Sequence, residues 1–518
     1  MKRAFIQYGV WLVLLLAVLS FVLAPIFRAG FIVTDDANWM IIRLSAFYQS
    51  LRDGQFPVRL LGRLNHSYGY PVANFLYPGF LYVGSVLHLI GFSFRSSIEI
   101  ILIGSVTSSV VFLFLWLKKY FSSLGSFLGS LAFILNPYLL YDVFTRGSIG
   151  EVVAVSAFFG VLHAYESANV LLFVPMLAFM LVSHNTAAMF FLMILVSLMH
   201  IRKDRSFVLP TLSAIGIAAF FWIPALLEKR FVLFDSVGVS NPLHYFPASF
   251  DLLVKNAPVA IIGIGLLFVI PKKYNKERVL FTALVVGGAF FISELSAFLW
   301  SLKPLQLFIQ FPYRLFLFWL VAGSWLISYI ADSYKKLGVF IAVISILWFG
   351  YNATGYAHVE SIEHPEGYFS TNEATTTVAN EYMPRWVSVI PSRRADKRIE
   401  ILTGNAEITP IEVNTNRVHV SIDASENSLL QINSLFYPGW GAMVDDKPVT
   451  IAYNNDLGVM QIPILEGTHT LFMEFRETKS RFLADMISLF SILFFLVYYC
   501  APVVFHALFH KTSSTHRP

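Results

Sequence analysis

The chain holds a single cysteine in 518 residues, Cys500, and it lies inside the last apolar run. Disulfides and cysteine-metal centres are therefore excluded. Charge is scarce too: 13% of residues are Asp, Glu, Lys or Arg, against roughly 25% in soluble domains. No Walker-type or Rossmann-type glycine loop, no GxSxG elbow and no His/Glu spacing for zinc occurs. Those absences argue against a soluble nucleotide-sugar or ATP substrate, so any group transfer must draw on an activated, lipid-linked donor. There is no internal repeat and no low-complexity tract. The net charge of +5 sits in short clusters between apolar runs, which report topology rather than nucleic-acid binding.

What is abundant is apolar surface: 56% of residues are hydrophobic and the mean hydropathy is +0.65, the composition of a polytopic membrane protein. Apolar segments of spanning or near-spanning length lie near 8–27, 73–92, 97–117, 123–141, 150–167, 169–183, 185–201, 207–226, 257–271, 278–293, 311–330, 336–351 and 482–503. Lys2-Arg3 precedes the first, and no A-x-A-like cleavage site follows it, which predicts a retained signal-anchor helix. Basic clusters at 202–205, 272–278, 335–336 and 510–517 favour the cytoplasm and place 227–256, 294–312 and 352–478 outside. With both ends cytoplasmic, 73–92 cannot cross fully; its Pro78-Gly79 fits a broken or re-entrant helix. The count is then about twelve spans, with thirteen as the alternative.

The most polar part of the N-terminal half is the first outer loop, 28–72, which opens with Asp35 and Asp36. Met40, Leu44, Phe47 and Leu51 recur at helical spacing. They predict a helix over 37–51 lying in the membrane interface, with Trp39, Phe47 and Tyr48 at headgroup depth. Arg43 falls seven residues after Asp36, on the same face two turns later. A fixed carboxylate and a fixed cation at a bilayer surface suit chemistry on a phosphate-linked lipid. The bland alternative is that one Asp N-caps the helix, but one cap does not need two carboxylates.

Four further polar stretches fall on the same outer side. Arg146 and Glu151 flank Gly147 and Gly150 at a span boundary, as a functional pair or as an ion pair closing a turn. His184 and Asn185 lie between two short spans, as site residues or as hydrogen-bonded structural ones. Glu228 ends FWIPALLE, and Gln310 and Arg314 bracket Pro312 in QFPYR. The Arg314 fork suits phosphate oxygens, with a snorkelling interfacial arginine as the alternative.

The rest divides by composition. Residues 1–351 form the transmembrane module, and 352–396 read as irregular chain leading into a short helix near Glu381. Over 397–478, about seven alternating runs separated by turn signals predict an antiparallel β-sandwich. Residues 479–518 read as a final membrane helix and cytoplasmic tail. Phe436, Tyr437 and Trp440 read as core, with sugar stacking as the alternative.

Taken in order, these stretches form a series: the acidic start with Asp36 and Arg43, GQFPVRL (54–60), GYP (69–71), RGSIGE (146–151), SHN (183–185), FWIPALLE, QFPYR, NEYMP (380–384) and LFYPGWGAMVDDKPV (435–449). The series resembles the GT-C superfamily of membrane glycosyltransferases. More narrowly, it is similar to multispanning proteins labelled as related to 6-pyruvoyl-tetrahydropterin synthase, although no zinc-and-His pterin site is present. The resemblance implies a polytopic α-helical fold of 12–13 spans with an extracytoplasmic β-sandwich, in a prokaryotic plasma membrane. It implies inverting transfer from a polyprenyl-phosphate-linked sugar donor to a glycan, lipid or protein acceptor, with no nucleic-acid partner. Asp36 would be the general base, Asp35 its close alternative, and Glu151 a second acid orienting the acceptor or holding a divalent cation such as Mg or Mn. Arg314 and Arg146 would neutralise the leaving phosphate; Arg43, His184, Asn185, Glu228 and Gln310 complete the substrate-binding set. One departure is that no His follows the first-loop acid, which speaks against metal in that loop. Two other classes stand beside this reading. A transporter or flippase requires mid-membrane charges and repeat symmetry. A glycan-binding scaffold requires that Asp35 and Asp36 be dispensable.

Overall fold

The computed structural model describes residues 2–237, 241–269 and 274–501, the side chains of 2–7 excepted. Lys272-Lys273, the basic tail 510–517 and the Lys2-Arg3 side chains lie outside the described residues. Among those described, seven helices are long and apolar enough to cross a membrane, and ten if three sharply bent pairs each count as one span. The bends fall at Val208–Ile217 with Ala219–Phe231 (65°), Pro242–Lys255 with Ala257–Leu267 (70°) and Asn275–Ile292 with Glu294–Ser301 (77°). At the second, Pro258 occupies the first turn of the following helix, where it cannot continue the preceding one. Tyr8–Val22, Gly79–Leu89 and Val170–Leu181 are shorter apolar helices. Gly79–Leu89, with 11 residues, rises about 16 Å, roughly half of a bilayer's hydrocarbon thickness.

Burial sorts these helices into a centre and a periphery. Pro312–Ser333, Ile149–Glu166 and Ser123–Arg146 are 94%, 89% and 78% buried, whereas Lys335–His358 and Lys479–Cys500 are 28% and 17%. The three central helices are the ones that carry Arg314, Glu151 and Arg146 at their ends.

The first loop departs from expectation in its surroundings. A helix does form at Ala37–Arg52, but it is enclosed by protein rather than laid on lipid: Phe47 is fully buried, edge-on to Tyr82 with centroids 4.9 Å apart. Apolar spacing reports that one face is covered, not what covers it. Strand β1 (Phe31–Ile32) pairs antiparallel with β2 (Ser361–Ile362), tying the loop to the 352–396 stretch. In that stretch the helix forms at Glu366–Thr371, while residues around Glu381 make turns. Pro384 disfavours helical geometry just before it, and the β-branched run at 375–377 is a poor helix former.

The C-terminal region is a β-sandwich of two antiparallel sheets. One has the order β4–β5–β10–β7–β8 and the other β3–β6–β9. Their bounds are β3 Ile399–Thr403, β4 Ala406–Val413, β5 Arg417–Ala424, β6 Ser428–Leu435, β7 Trp440–Val444, β8 Lys447–Val449, β9 Val459–Ile464 and β10 Gly467–Phe475. Alternation puts Val418, Val420 and Ile422 of β5 inside with Leu471, Met473 and Phe475 of β10. Tyr437 and Trp440 are buried as well.

The sandwich docks on the first loop and on the last helix. Leu435 N–H donates to Tyr68 O at 2.7 Å, and the Asp53 carboxylate accepts from Thr415 N–H and its hydroxyl. Gly62 lies so close to Thr415 that a Cβ there would meet its side chain at 2.6 Å. The first loop is thus the contact point of membrane helices, linker and sandwich.

Candidate active site

The site is assembled by close backbone approaches. Gly147 has φ +66°, and a Cβ on it would lie 2.2 Å from Thr34 Oγ1 and 2.6 Å from Ala37 Cβ. A Cβ on Gly150 would lie 2.2 Å from the Tyr77 ring and 2.5 Å from Ser183 O. The two glycines of RGSIGE therefore let the first loop and the SHN turn press against the start of the Ile149–Glu166 helix. Backbone bonds lock the contact: Asp35 N–H donates to Thr145 O and Asp36 N–H to Arg146 O, both at 2.9 Å.

Neither aspartate side chain caps the Ala37–Arg52 helix. The Thr34 hydroxyl accepts from Ala37 N–H at 3.1 Å instead. Among the described residues, no side-chain hydrogen bond or ion pair engages either carboxylate. Asp35 still meets solvent, yet partial burial and the adjacent Asp36 charge raise its pKa above the usual value, against the pull of Arg146.

Behind them lies a buried ionic cluster centred on Glu151, which is fully buried. Its Oε1 accepts from the Tyr138 hydroxyl. Its Oε2 accepts from Arg146 Nη1 at 3.1 Å and faces His184 Nε2 at 3.6 Å and Arg314 Nε at 4.0 Å. Arg146 also pairs with Asp142 at 2.6 Å and lies over the Tyr313 ring at 5.2 Å. His184 N-caps the Asn185–Arg202 helix, its Nδ1 accepting from Ala187 N–H at 3.1 Å. That bond leaves the ring proton on Nε2, toward Glu151. Burial, aided by Arg314 and Arg146 against the Glu151 charge, pushes His184 down to about 3, so it is neutral. Arg314 donates through Nη1 to Ile309 O at 3.1 Å and to Gln310 Oε1 at 2.5 Å, while its buried Nε has no hydrogen-bond acceptor among the described residues. Gln310 holds that position at φ +68°, a backbone strain of about 1 kcal/mol. Arg146 is thus engaged through Nη1 by two carboxylates, and Arg314 Nε faces Glu151 without a hydrogen-bond acceptor among the described residues.

Four of the five predicted polar stretches meet here: Asp35-Asp36, Arg146 with Glu151, His184-Asn185, and Gln310 with Arg314. Asn185 acts through its side chain, donating to Phe75 O at 3.0 Å. Arg43 is buried, but its fork is committed to Thr376, through Oγ1 at 3.2 Å and the carbonyl at 2.6 Å, rather than to Asp36. Glu228 stands apart. It accepts from Arg481 Nε and Nη2 at 2.8 and 2.7 Å, from Asn74 at 2.8 Å and from the Tyr437 hydroxyl at 3.0 Å, a network that joins the sandwich to the last helix. The sequence reading missed Asp142, Tyr138, Tyr77 and Tyr313. Asp142 had a signal, lying four residues before Arg146 on one helical face; the tyrosines had none.

Among the described residues no three His, Cys, Asp or Glu side chains converge as a metal-ligand set. Glu151, the acid assigned to a divalent cation by resemblance, has its oxygens taken by Tyr138, Arg146 and His184. The residues present do not fit that role.

No family model matches the chain, and no curated protein does. Among solved structures it is similar to the mycobacterial arabinofuranosyltransferase AftD, at 15% identity and TM-score 0.45, over 66% of this chain and 26% of that one. It is also similar to the apo oligosaccharyltransferase of Archaeoglobus fulgidus, at 13% and 0.38, over 71% and 56%. The same organism's AglB, solved with an inhibitory peptide and a dolichol-phosphate, aligns at 14% and 0.35, over 71% and 57%. The chain spans from about a quarter to somewhat over half of these proteins' lengths.

Proposed function

We propose that this polytopic membrane protein is a GT-C-type glycosyltransferase that moves a sugar from a polyprenyl-phosphate-linked donor to an extracytoplasmic acceptor with inversion. The observation that supports it is a juxtaposition: two carboxylates with no side-chain partner among the described residues, clamped by backbone bonds against a buried cluster that holds Glu151, Arg146 and Arg314. In the reaction, Asp36 takes the proton of an acceptor hydroxyl, Asp35 being the alternative base. The acceptor oxygen bonds the anomeric carbon from the face opposite the phosphate, the carbon–oxygen bond to phosphate breaks, and polyprenyl phosphate leaves. Arg314 meets the charge that grows on the leaving oxygen; Arg146, neutralised by Asp142 and Glu151, holds Glu151 and the first loop in place. In-line displacement needs the base and the arginine on opposite sides of the reacting centre, and this reading assigns Asp36 and Arg314 those two roles. Because neither residue alone is diagnostic, the reading rests on their being brought together.

The test is transfer by purified protein in lipid bilayers, with a panel of polyprenyl-phosphate hexoses and pentoses and membrane-derived acceptors. Asp36→Asn is expected to lower turnover by 10²-fold or more with the fold intact, and Arg314→Lys by a smaller factor because the planar fork is lost. Undiminished transfer by both Asp36→Asn and Asp35→Asn would remove the first-loop acids from the mechanism.

A further inference from the structure

The outer face of the five-stranded sheet carries a cavity that the proposed reaction does not use. Its volume is about 510 Å³, within the roughly 300–1,000 Å³ of small-molecule pockets. Strand pairing explains what lines it. The alternation that buries Val418 and Val420 of β5 and Leu471 and Met473 of β10 turns His419 and Phe472 outward. Phe472 stands opposite His419 on β5 and Met443 on β7, so one row across three strands reads His, Phe, Met. The His419 ring meets the Phe472 ring edge-on, with centroids 5.6 Å apart. Thr470, two residues back along β10, and the Asp445-Asp446 turn complete the lining.

The turn presents two carboxylates to that row. Val444 pairs with Lys447, which leaves Asp445 and Asp446 as a two-residue connection between β7 and β8, left-handed at φ +50° and +60°. Asp445 is held in place: its Oδ1 accepts from Thr470 N–H at 2.8 Å and its Oδ2 from His469 Nδ1 at 2.6 Å. Asp446 is exposed. Among the described residues neither its carboxylate, the Thr470 hydroxyl nor the His419 ring nitrogens make a hydrogen bond. None of the six lining residues is Lys or Arg, so a phosphate would meet two carboxylates and no cation. An organic cation would use the ring and the acids but leave the Thr470 and His419 donors idle. A neutral sugar uses all of them: its C–H face lies on Phe472, and its hydroxyls both donate and accept at the rim. These are not the aromatics that the sequence offered for sugar stacking, since Tyr437 and Trp440 are buried. Nor do the six take part in the bonds that dock the sandwich at Leu435, Thr415 and Tyr437.

We propose that this cavity is a glycan-binding site, in which a neutral sugar residue stacks on Phe472 and bonds Asp446, Thr470 and His419. The sandwich thereby holds a polysaccharide strand independently of transfer at the active site. The test is isothermal titration calorimetry of the full-length protein in lipid nanodiscs. The probes are maltotetraose, cellotetraose, mannotetraose and galactotetraose, with tetralysine as a cationic one. Saturable binding of at least one tetrasaccharide is expected, weakened about tenfold by Phe472→Ala and by Asp446→Asn. Asn tolerates left-handed backbone as Asp does, so Asp446→Asn should keep the turn and the unfolding temperature, and its loss of binding is not a loss of fold. Asp36→Asn should bind as the wild type does, which separates this site from the reaction assignment. No binding of any tetrasaccharide, or binding that either sandwich variant leaves unchanged, overturns the proposal. So does salt-sensitive binding of tetralysine in their place, or binding lost in Asp36→Asn.

Discussion

Gly147 and Asp35 show how single positions govern the first loop. Gly147→Ala places a methyl group on a left-handed residue where Thr34 and Ala37 leave no room. The strain alone costs about 1–2 kcal/mol, and the displaced first loop should abolish transfer. Gly104→Ala is the control, in a helix interior with open space around it; it should gain up to about 1 kcal/mol. Thermal unfolding in detergent with a transfer assay reads both. Asp35 has a pKa raised by folding, so its contribution to stability is present at low pH and is lost as pH rises through the folded value. Asp35→Asn should therefore raise the unfolding temperature at neutral pH and lose that gain in acid. His184 works in the opposite direction, its pKa being lowered to about 3. Its share of stability is full above the unfolded value near 6.5 and falls by up to about 1.4 kcal/mol per pH unit below it. The pH–stability profile of His184→Asn should lack that acid limb.

Between elements, a buried network around Glu228 joins the sandwich to the last helix. The Arg481 guanidinium is fully buried against Glu228 and gripped through two of its nitrogens. Removing one partner leaves an uncompensated charge, so Arg481→Met should cost about 3–5 kcal/mol and expose the sandwich junction to protease. Glu228→Leu combined with Arg481→Met should recover much of that loss. The recovery is incomplete because Asn74 and the Tyr437 hydroxyl still lose their acceptor. Glu228 came from the same kind of sequence signal as Arg314, an ionisable residue at the mouth of a span. The signal finds residues that need a partner; it does not distinguish a substrate from Arg481.

For the molecule as a whole, the topology predicted from basic clusters puts the first loop, linker and sandwich outside. With Cys500 replaced by Ser, Val378→Cys at an exposed position of the linker should react with a membrane-impermeant maleimide in intact cells, and Lys203→Cys only after permeabilisation. The reverse pattern would invert the orientation.

Fold class was legible because it follows from composition and period: apolar runs demand a membrane, and alternation over 397–478 demands a two-faced sheet packed on another. The helix at 37–52 was legible from its spacing. The polar stretches could be found as well, since charge is rare in such a chain and expensive to bury. What the sequence could not determine is which charges meet, because pairing depends on contacts hundreds of residues apart. Arg43 bonds Thr376, Arg59 bonds Glu477 and Asp485, and Glu228 bonds Arg481. Only the tertiary structure decided those partners, and with them which buried polar atoms have none among the described residues, such as Arg314 Nε and Glu381 Oε2. Periodicity is a local property of the chain, whereas satisfaction of a buried charge is a property of the packed whole.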